Sequence, residues 1–513
     1  MSKDIIHLQL MKIQEILLSI ESSIYLKSDY FILLEVPPCS QVSTMQNNLI
    51  LVELPWGRNK DPRVPLGHAS LLASLKIHTT SEIFSVVECI NDEDFAVSKV
   101  FDRIFHHLQV NKNISTIAFG VYVWSEDAIQ QLTNKIKEVG FLGRIVLGGP
   151  QISYCGATLE ENYPLADIFV RGYGEIALAS ILNEKKKVVL QGVHYAGDVD
   201  LIEQTQVDLE MLPSPWLENV IDASNQIFIR WESQRGCPFK CGFCQHKEAG
   251  ARLKKKWFST NRIENEIDYL CQEQVRDIAI LDPIFNSDKR ANDVLQRFLD
   301  NGYSGRLSIQ CRAEMVDDEF IEKASKLNVR LEFGLQTIHN SEGKAVNRNN
   351  NISKVESVLE KIAKKEIDYE ISLIFGLPEQ SLKSFQQTVD WCLKRKVPVI
   401  KAFPLMLLRG TDVEKRKSEW GLVESDDSMA VVLKSNTFTL DDWKIMSQIS
   451  EALKASEGNH PDNIEQLLLY SAKMEVNMSN YRPEPTSSII DPIPKPVSTV
   501  AVQFLLHLRM QHR

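Results

Sequence analysis

Two successive series of alternating strand and helix patterns organise most of this chain. The first series has the apolar runs "LILVE", "FSVVECI", "TIAFGVYVW", "RIVLGGP" and "ADIFV", with helix-period segments between them. Alternation of this kind is typical of parallel strands in one sheet with helices on both faces. The pattern predicts a doubly wound parallel α/β domain over residues 48–194, with any ligand at the carboxyl ends of its strands.

A second alternating series follows a proline-marked segment, "LPSPW", which indicates a linker over residues 195–222. Six strand-like runs, from "QIFIRWES" to "VPVIKAFPLM", are each separated by a helix-period segment. This predicts a partial (β/α)6 barrel over residues 223–430 with its functional residues at the strand carboxyl ends. Residues 1–47 read as a helical extension, and residues 431–513 as a mostly helical extension with a proline-rich stretch.

Composition excludes several classes of protein. A length of 513 residues favours two large domains. A net charge of −10 does not indicate the excess of positive charge that is typical of nucleic-acid-binding proteins. No apolar run approaches the roughly 18 residues that a membrane span needs. Six of the nine cysteines are scattered singly, which argues against a disulfide framework. The sequence therefore predicts a cytoplasmic protein that does not cross a membrane.

The remaining three cysteines lie together in "QRGCPFKCGFCQHK", as Cys237, Cys241 and Cys244. A loop with this spacing can turn its thiolates toward one metal centre. A structural zinc ion would need a fourth ligand, for which His246 is the nearby candidate. An iron–sulfur cubane normally takes four thiolates, so three would leave one iron open to another ligand.

The pattern Cys-x-x-x-Cys-x-Phe-Cys directly after the first barrel strand resembles the signature of the radical S-adenosylmethionine (SAM) superfamily. The resemblance implies that Cys237, Cys241 and Cys244 hold a 4Fe–4S cluster, that Phe243 lies beside it, and that the open iron chelates SAM. It also implies that one electron from the reduced cluster cleaves SAM to a 5′-deoxyadenosyl radical, which abstracts a hydrogen atom from the substrate.

Later segments resemble the same family. "EFGLQTIHNSEGKAVNR" is similar to the fourth barrel unit, and "ISLIFGLPEQSLKSF" to the fifth. The resemblance implies that Gln336 and Arg348 contact the ribose and carboxylate of SAM and that Gly376 lets the backbone approach the adenine. Glu314 in "QCRAEM" stands at the third strand end as a further candidate, with an ion pair as the alternative interpretation.

The first domain resembles the Rossmann-like domain of cobalamin-binding members of this superfamily, on "IVLGGP" and "ADIFVRGYGE". The resemblance implies a cobalamin site at Gly148, Gly149, Gly172 and Gly174, and these residues are alternatively plain turn glycines. The Asp-x-His-x-x-Gly motif of other cobalamin domains is absent, and His68 has the wrong neighbours for that role. A cobalt ion without a protein imidazole below it is therefore expected.

Together the resemblances imply an enzyme that modifies an unactivated carbon, with cobalamin-dependent methylation as the first interpretation. A cobalamin-free radical SAM enzyme for ring formation or rearrangement, and a non-catalytic iron–sulfur sensor or electron carrier, remain alternatives. The expected partners are a small-molecule or peptide substrate and an electron donor such as flavodoxin or ferredoxin.

Overall fold

The computed structural model describes residues 47–184, 187–224, 226–246 and 255–470. Two six-stranded sheets form its framework. The predicted N-terminal helix, the proline-rich stretch and the last helix lie outside the described residues. No helix in the described ranges is long and apolar enough to cross a membrane.

The first sheet has the strand order β2-β1-β3-β4-β5-β6. Its strands are β1 (Asn48–Glu53), β2 (Ile83–Val87), β3 (Ile114–Gly120), β4 (Arg144–Gly148), β5 (Ile168–Val170) and β6 (Val193–Tyr195). The helices between them are α1 (Leu66–His78), α2 (Val97–Val110), α3 (Glu126–Glu138), α4 (Pro150–Ser153), α5 (Leu159–Asn162) and α6 (Glu175–Asn183). Strands β1 to β5 pair in parallel.

Strand β1 shows why this sheet is covered on both faces. Every residue of β1 is buried. Ile50 and Val52 pack into one apolar cluster with α2 and α3, whereas Leu49 and Leu51 pack into another with α6. Successive side chains of a strand point to opposite faces, so an uninterrupted apolar run requires a layer on each side. The predicted doubly wound domain is confirmed.

One strand departs from the predicted parallel arrangement. Strand β6 pairs antiparallel with β5, and the sheet therefore extends to Tyr195. Beyond it, an isolated parallel bridge joins Gly172 to Thr205. The first part of the predicted linker is thus bound to the edge of the first domain.

The second sheet has the order β14-β13-β12-β11-β10-β7, and all of its pairs are parallel. Its strands are β7 (Phe228–Trp231), β10 (Asp277–Ile280), β11 (Arg306–Cys311), β12 (Asn328–Gln336), β13 (Asp368–Phe375) and β14 (Val399–Pro404). The helices of this unit are α7 (Thr260–Gln272), α8 (Arg290–Asp300), α9 (Asp318–Ala324), α10 (Asn340–Ala345), α11 (Ile352–Lys364) and α12 (Leu382–Lys394). The first and last strands are outermost in the order, which confirms a partial barrel.

Strand β12 shows which face of the barrel sheet is the lumen. Its odd-numbered residues are apolar and belong to the core that includes the surrounding helices: Val329, Leu331, Phe333 and Leu335. Its even-numbered residues, from Arg330 to Gln336, face the opposite way because side chains alternate along a strand. The lumen of this barrel is therefore partly polar.

Shorter elements complete the described chain. A two-stranded pair joins β8 (Gln234–Arg235) to β9 (Lys256–Trp257) next to the cysteine segment. After β14 come α13 (Asp412–Lys415), the pair β15 (Val423–Glu424) and β16 (Val432–Lys434), and α14 (Leu440–Ala455). Helix α14 packs on β14, where Ser450 Oγ donates to the Ala402 carbonyl at 2.6 Å. Three 3-10 turns lie at Leu209–Met211, Phe285–Ser287 and Ala313–Met315.

Candidate functional site

The three clustered cysteines lie on a loop that the barrel fixes from both sides. The Gly242 amide donates to the Val346 carbonyl at 2.7 Å, and the Val413 amide donates to the Gly242 carbonyl at 3.0 Å. A Cβ at position 242 would lie 3.4 Å from the Val346 carbonyl oxygen, so a glycine suits this approach. Cys237 and Cys241 are buried, and Cys244 is half-buried.

The environment of these thiols disfavours an uncompensated thiolate. Burial raises the pKa of Cys237 to about 11, and it also raises the pKa of Cys244. A buried thiolate needs nearby positive charge, which a protein supplies by a cation or a bound metal. Arg348 supplies part of it, because its Nη1 lies 3.7 Å from Cys241 Sγ.

The described side chains form no ready-made site for a single metal ion. Across the described ranges, no three His, Cys, Asp or Glu side chains meet closely enough to hold one metal ion. A single tetrahedral zinc ion would require such a meeting point, whereas each iron of a cluster takes one thiolate. The backbone amide of His246 donates to Cys244 Sγ at 3.4 Å, so His246 lies next to the third cysteine.

Arg348 and Gln336, two of the predicted SAM contacts, lie side by side. Arg348 Nη2 donates to the Gly334 carbonyl, and a Cβ on Gly334 would lie 2.8 Å from Gln336 Nε2. The register of β12 shifts between Gly334 and Gln336, and Gln336 has a φ of +68°. This bulge turns a buried amide side chain toward the arginine at the carboxyl end of the strand.

Glu314 stands in an ion pair near the same edge. Its Oε2 lies 3.4 Å from Arg312 Nε, and its Oε1 accepts from the Asn351 amide at 3.2 Å. The Arg312 guanidinium lies 4.1 Å from the centre of the Phe239 ring, inside the cysteine loop. The alternative interpretation of Glu314 as an ion-pair partner therefore describes its contacts in this structure.

Gly376 and Phe243 are the remaining residues of the predicted SAM site. Gly376 follows β13 with a φ of +86°, and its amide donates to Gln380 Oε1 at 2.7 Å. A Cβ there would lie 3.4 Å from the Val432 carbonyl. Phe243 is 9% exposed and packs in the same apolar cluster as Cys241.

A cavity joins the first domain to this loop. All four glycines predicted for the first domain line it: Gly148, Gly149, Gly172 and Gly174. Its other wall includes residues that directly flank the three cysteines: Arg235, Gly236, Gln245 and His246. The carboxyl edge of the first sheet thus faces the cysteine loop across one shared space.

The four glycines serve two purposes. Gly149 and Gly172 have φ values of +94° and +83°, and a Cβ on either would lie within about 3.0 Å of a carbonyl oxygen, of Val121 or Thr205. Gly148 has no such constraint, since a Cβ would only touch the Val170 carbonyl at 3.6 Å. At Gly174 it would lie 3.1 Å from the flexible end of Leu71. Two positions require a turn glycine, and Gly148 widens the cavity.

His68 also lines this cavity, from the first turn of α1. Its Nε2 lies 2.7 Å from Ser85 Oγ, and burial lowers its pKa to about 4. One imidazole nitrogen is therefore already engaged within the first domain. The expectation of a cobalt without an imidazole below it stays a prediction.

Sequence reasoning missed other cavity residues, including Glu53, Tyr122, Tyr154, Gln204 and Arg235. Glu53 ends β1, so the rule that ligands bind at strand carboxyl ends could have found it. Gln204 comes from the linker and gave no signal.

Among these residues, Arg235 forms hydrogen bonds to two buried carboxylates. Its Nη1 donates to Glu175 Oε1 at 2.6 Å, and its Nη2 donates to Glu232 Oε1 at 2.8 Å. This buried cluster ties the first turn of α6 to the segment just before Cys237.

The barrel matches a known family. Residues 231–392 match the family model described as the Radical SAM superfamily. This segment, which contains the three clustered cysteines, is similar to the radical SAM superfamily.

Two curated proteins share modest sequence identity with this chain. The cobalamin-dependent radical SAM methyltransferase TokK of Streptomyces tokunonensis is 22% identical over 54% of this chain. The 2-(S-pantetheinyl)-carbapenam-3-carboxylate methyltransferase of Streptantibioticus cattleyicolor is 24% identical over 54% of this chain. Each match covers 44% of the relative, so the chain spans less than half the length of either.

Two solved radical SAM structures share the fold of this chain. The methyltransferase TsrM of Kitasatospora setae, solved with tryptophan and a SAM analogue, superposes with a TM-score of 0.62 at 13% identity. The superposition covers 84% of this chain and 99% of the TsrM chain. The cobalamin-dependent enzyme OxsB, solved with aqua-cobalamin, also has a TM-score of 0.62, at 15% identity, and covers 84% of this chain and 71% of its own.

Proposed function

We propose that this chain is a radical SAM enzyme that holds a 4Fe–4S cluster on its three clustered cysteines and cobalamin in the cavity of its first domain. Its proposed reaction is methylation, or another modification, of an unactivated carbon in a small molecule or peptide. The observation that carries this proposal is the shared cavity, whose walls are the predicted glycines and the residues flanking the cysteines.

The residues present fit a cluster. Cys237, Cys241 and Cys244 would hold three irons, and the thiols of Cys237 and Cys244, whose pKa values burial raises, would gain positive charge from the metal. Three ligands leave an open position, as in a reactive rather than a purely structural metal site. When bound, the cluster and SAM supply the one-electron cleavage chemistry. Arg348 stabilises negative charge at Cys241, and the loop's anchors keep the thiols in place.

The strand ends around the loop fit SAM. Gln336 and Arg348 would bind its polar groups, and Gly376 lets a ligand approach the backbone closely. One nitrogen of Arg348, Nε, is buried without a hydrogen-bond partner among the described residues, which leaves a donor for a ligand. Glu314 would act through Arg312, which it pairs with.

The first domain fits a large planar ligand. The cavity lies at the carboxyl edge of a doubly wound sheet, which is where such sheets bind ligands. Gly148 leaves open a volume that a side chain would fill. When bound, cobalamin supplies a carrier for a methyl group. The names of TokK and OxsB, both cobalamin-dependent, favour this ligand over others.

Product analysis tests the proposal. Anaerobically reconstituted protein, given dithionite, SAM and hydroxocobalamin, is expected to form 5′-deoxyadenosine or S-adenosylhomocysteine above a Cys241→Ala control. If the amounts of both products stay at the level of that control, the sensor or electron-carrier alternative is favoured. Formation of 5′-deoxyadenosine by protein that retains no corrinoid after desalting would favour the cobalamin-free alternative.

The electron donor, the substrate and the cytoplasmic location stay predictions. A flavodoxin or ferredoxin that replaces dithionite in the same assay would identify the donor.

A further inference from the structure

A row of buried polar side chains crosses the barrel lumen below the proposed SAM site. Gln310 on β11 pairs in register with Glu332 on β12, and Glu332 pairs with Glu370 on β13. Ser372 is the next lumen-facing residue of β13, opposite Lys401 on β14. We define Gln310, Glu332, Glu370 and Ser372 as the lumen row.

The lumen row lies directly beneath the proposed cofactor contacts. Gly334, whose carbonyl accepts from Arg348, is the next residue above Glu332 on the same face of β12. Two residues along a strand span about 7 Å. A substrate group in the lumen row would therefore place neighbouring atoms close to the radical chemistry.

Each member of the lumen row has an unsatisfied atom. Glu332 Oε2, Glu370 Oε1, Ser372 Oγ and Gln310 Nε2 are all buried without a hydrogen-bond partner within the described part of the chain. The exposed fractions of these residues are 7%, 0%, 1% and 5%. Buried polar groups normally have partners, and unpaired ones cost free energy. Gln310, Glu332 and Glu370 share one register across β11, β12 and β13, and Ser372 lies two residues further along β13. Four such atoms on three adjacent strands point to a ligand that supplies the missing bonds.

The chemistry of the unsatisfied atoms is mostly that of acceptors. Two carboxylate oxygens and one hydroxyl can accept three hydrogen bonds, which matches the three N–H donors of an ammonium group. The other oxygen of Glu370 already binds an ammonium, since it accepts from Lys401 Nζ at 2.6 Å. Gln310 Nε2 offers one donor to a polar atom beside that group.

We infer that the lumen row is the subsite that recognises a primary ammonium group of the substrate. This inference rests on the proposed function, because it assigns the occupant as the molecule on which that chemistry acts. It narrows the substrate class to amine-bearing small molecules or peptides.

The electrostatics of Glu332 support this assignment. Burial, and then the neighbouring Glu370, raise the pKa of Glu332, against the opposing charges of Lys401, Arg330 and Arg58. The Glu332 carboxyl group therefore holds a proton more readily than an exposed glutamate does while the row is empty of a cation. A bound ammonium would favour its carboxylate, so the carboxylic acid would lose its proton to solvent.

Proton-linked binding tests the inference on the full-length, cluster-reconstituted protein. Isothermal titration calorimetry with methylammonium chloride, in two buffers of different ionisation enthalpy, is expected to show that protons are released when the cation binds at pH 7. Methanol, the neutral analogue, is expected to give no proton-linked heat. Glu332→Gln should abolish the proton release and weaken binding by about tenfold or more, because a charged partner is lost.

Two further variants show whether binding depends on the lumen row itself or on any change of a polar side chain. Ser372→Ala should weaken binding several-fold yet keep the proton release, because Glu332 remains. Glu360→Gln, at an exposed site on α11, should match the unmodified protein. The inference is overturned by binding without proton release, by an unchanged Glu332→Gln variant, by no binding, or by equal proton release with potassium chloride.

Iron content and the electron paramagnetic resonance (EPR) signal of the reduced cluster are measured on the same samples. Loss of the cluster with intact methylammonium binding would count against the proposed function alone. An intact cluster without proton-linked binding would count against the lumen-row inference alone.

Discussion

Cys241, one of the three predicted cluster ligands, is buried and lies near a positive charge. It is 8% exposed, it belongs to the same apolar cluster as Phe243, and Arg348 Nη1 lies 3.7 Å from its sulfur. The spacing of three cysteines within eight residues predicts a metal-binding loop, and the family resemblance predicts that Cys241 is a cluster ligand. Its contact with Arg348, more than a hundred residues later, depends on tertiary structure that spacing does not encode.

Removal of Cys241 is expected to abolish most iron binding, because two thiolates cannot hold a cubane firmly. Cys241→Ala should lose most of its iron and sulfide after anaerobic reconstitution, as measured by elemental analysis. Cys271→Ala, at a half-buried cysteine on α7, is the matched control and should keep both. Equal iron in the two variants would remove the cluster assignment.

Arg348 is expected to matter for SAM rather than for the cluster. Arg348→Gln should keep its iron but lose most of the change that SAM causes in the EPR spectrum of the reduced cluster, since its guanidinium reaches both Cys241 and the Gly334 carbonyl. Arg416→Gln, which removes a surface partner of Glu419, serves as control. A normal SAM response in Arg348→Gln would contradict this role.

The other predicted SAM contacts stay predictions, and the structure shows where their side chains lie. Gln336 and Arg348 lie together, because a bulge near the end of β12 turns the glutamine toward the arginine. Glu314 is occupied by Arg312. The sequence places both residues near strand ends, but the choice between ligand and ion pair depends on side-chain packing.

At the scale of elements, the βα turns of the first domain decide how the cavity forms. Apolar periodicity predicted β1 to β5 and the helices between them, because each pattern is local. It did not predict β6, a three-residue strand whose pairing with β5 gives no periodic signal. Nor did it show that the linker reaches the cavity through Gln204.

Gly148 is the position where added volume should affect the ligand most and the backbone least. Gly148→Leu is expected to weaken binding of hydroxocobalamin by about tenfold or more, which corresponds to about 1.4 kcal/mol. Retention of corrinoid after desalting, followed by absorption, measures it. Gly156→Leu is the control, because a Cβ there meets nothing within 4 Å. Unchanged retention in Gly148→Leu would place the corrinoid elsewhere.

Gly149 should behave differently from Gly148. Its φ of +94° and ψ of −179° lie in a region that is essentially reserved for glycine. Gly149→Ala is therefore expected to destabilise the protein by about 1–3 kcal/mol, whereas Gly148→Ala should cost much less. Thermal or denaturant unfolding of the two variants measures the difference, and equal stabilities would contradict it.

At the scale of the whole molecule, function depends on how the two sheets face each other. Arg235 joins the first turn of α6 to the cysteine loop, and Tyr154 of the first domain donates to the Gln245 carbonyl just after that loop. Arg409, after the last barrel strand, pairs with Glu126 of α3 at 3.0 Å. The sequence predicted both folds but not this interface, because the interface depends on long-range side-chain pairs.

The central claim is that the cysteine loop leaves one iron open for SAM. Electron–nuclear double resonance (ENDOR) spectroscopy measures directly whether SAM binds that iron. The sample is the reduced, reconstituted protein with SAM that carries nitrogen-15 at its amino group. A nitrogen-15 coupling to the cluster in the unmodified protein, absent from Cys241→Ala, is the predicted result. A fully formed cluster with no nitrogen-15 coupling would contradict the claim.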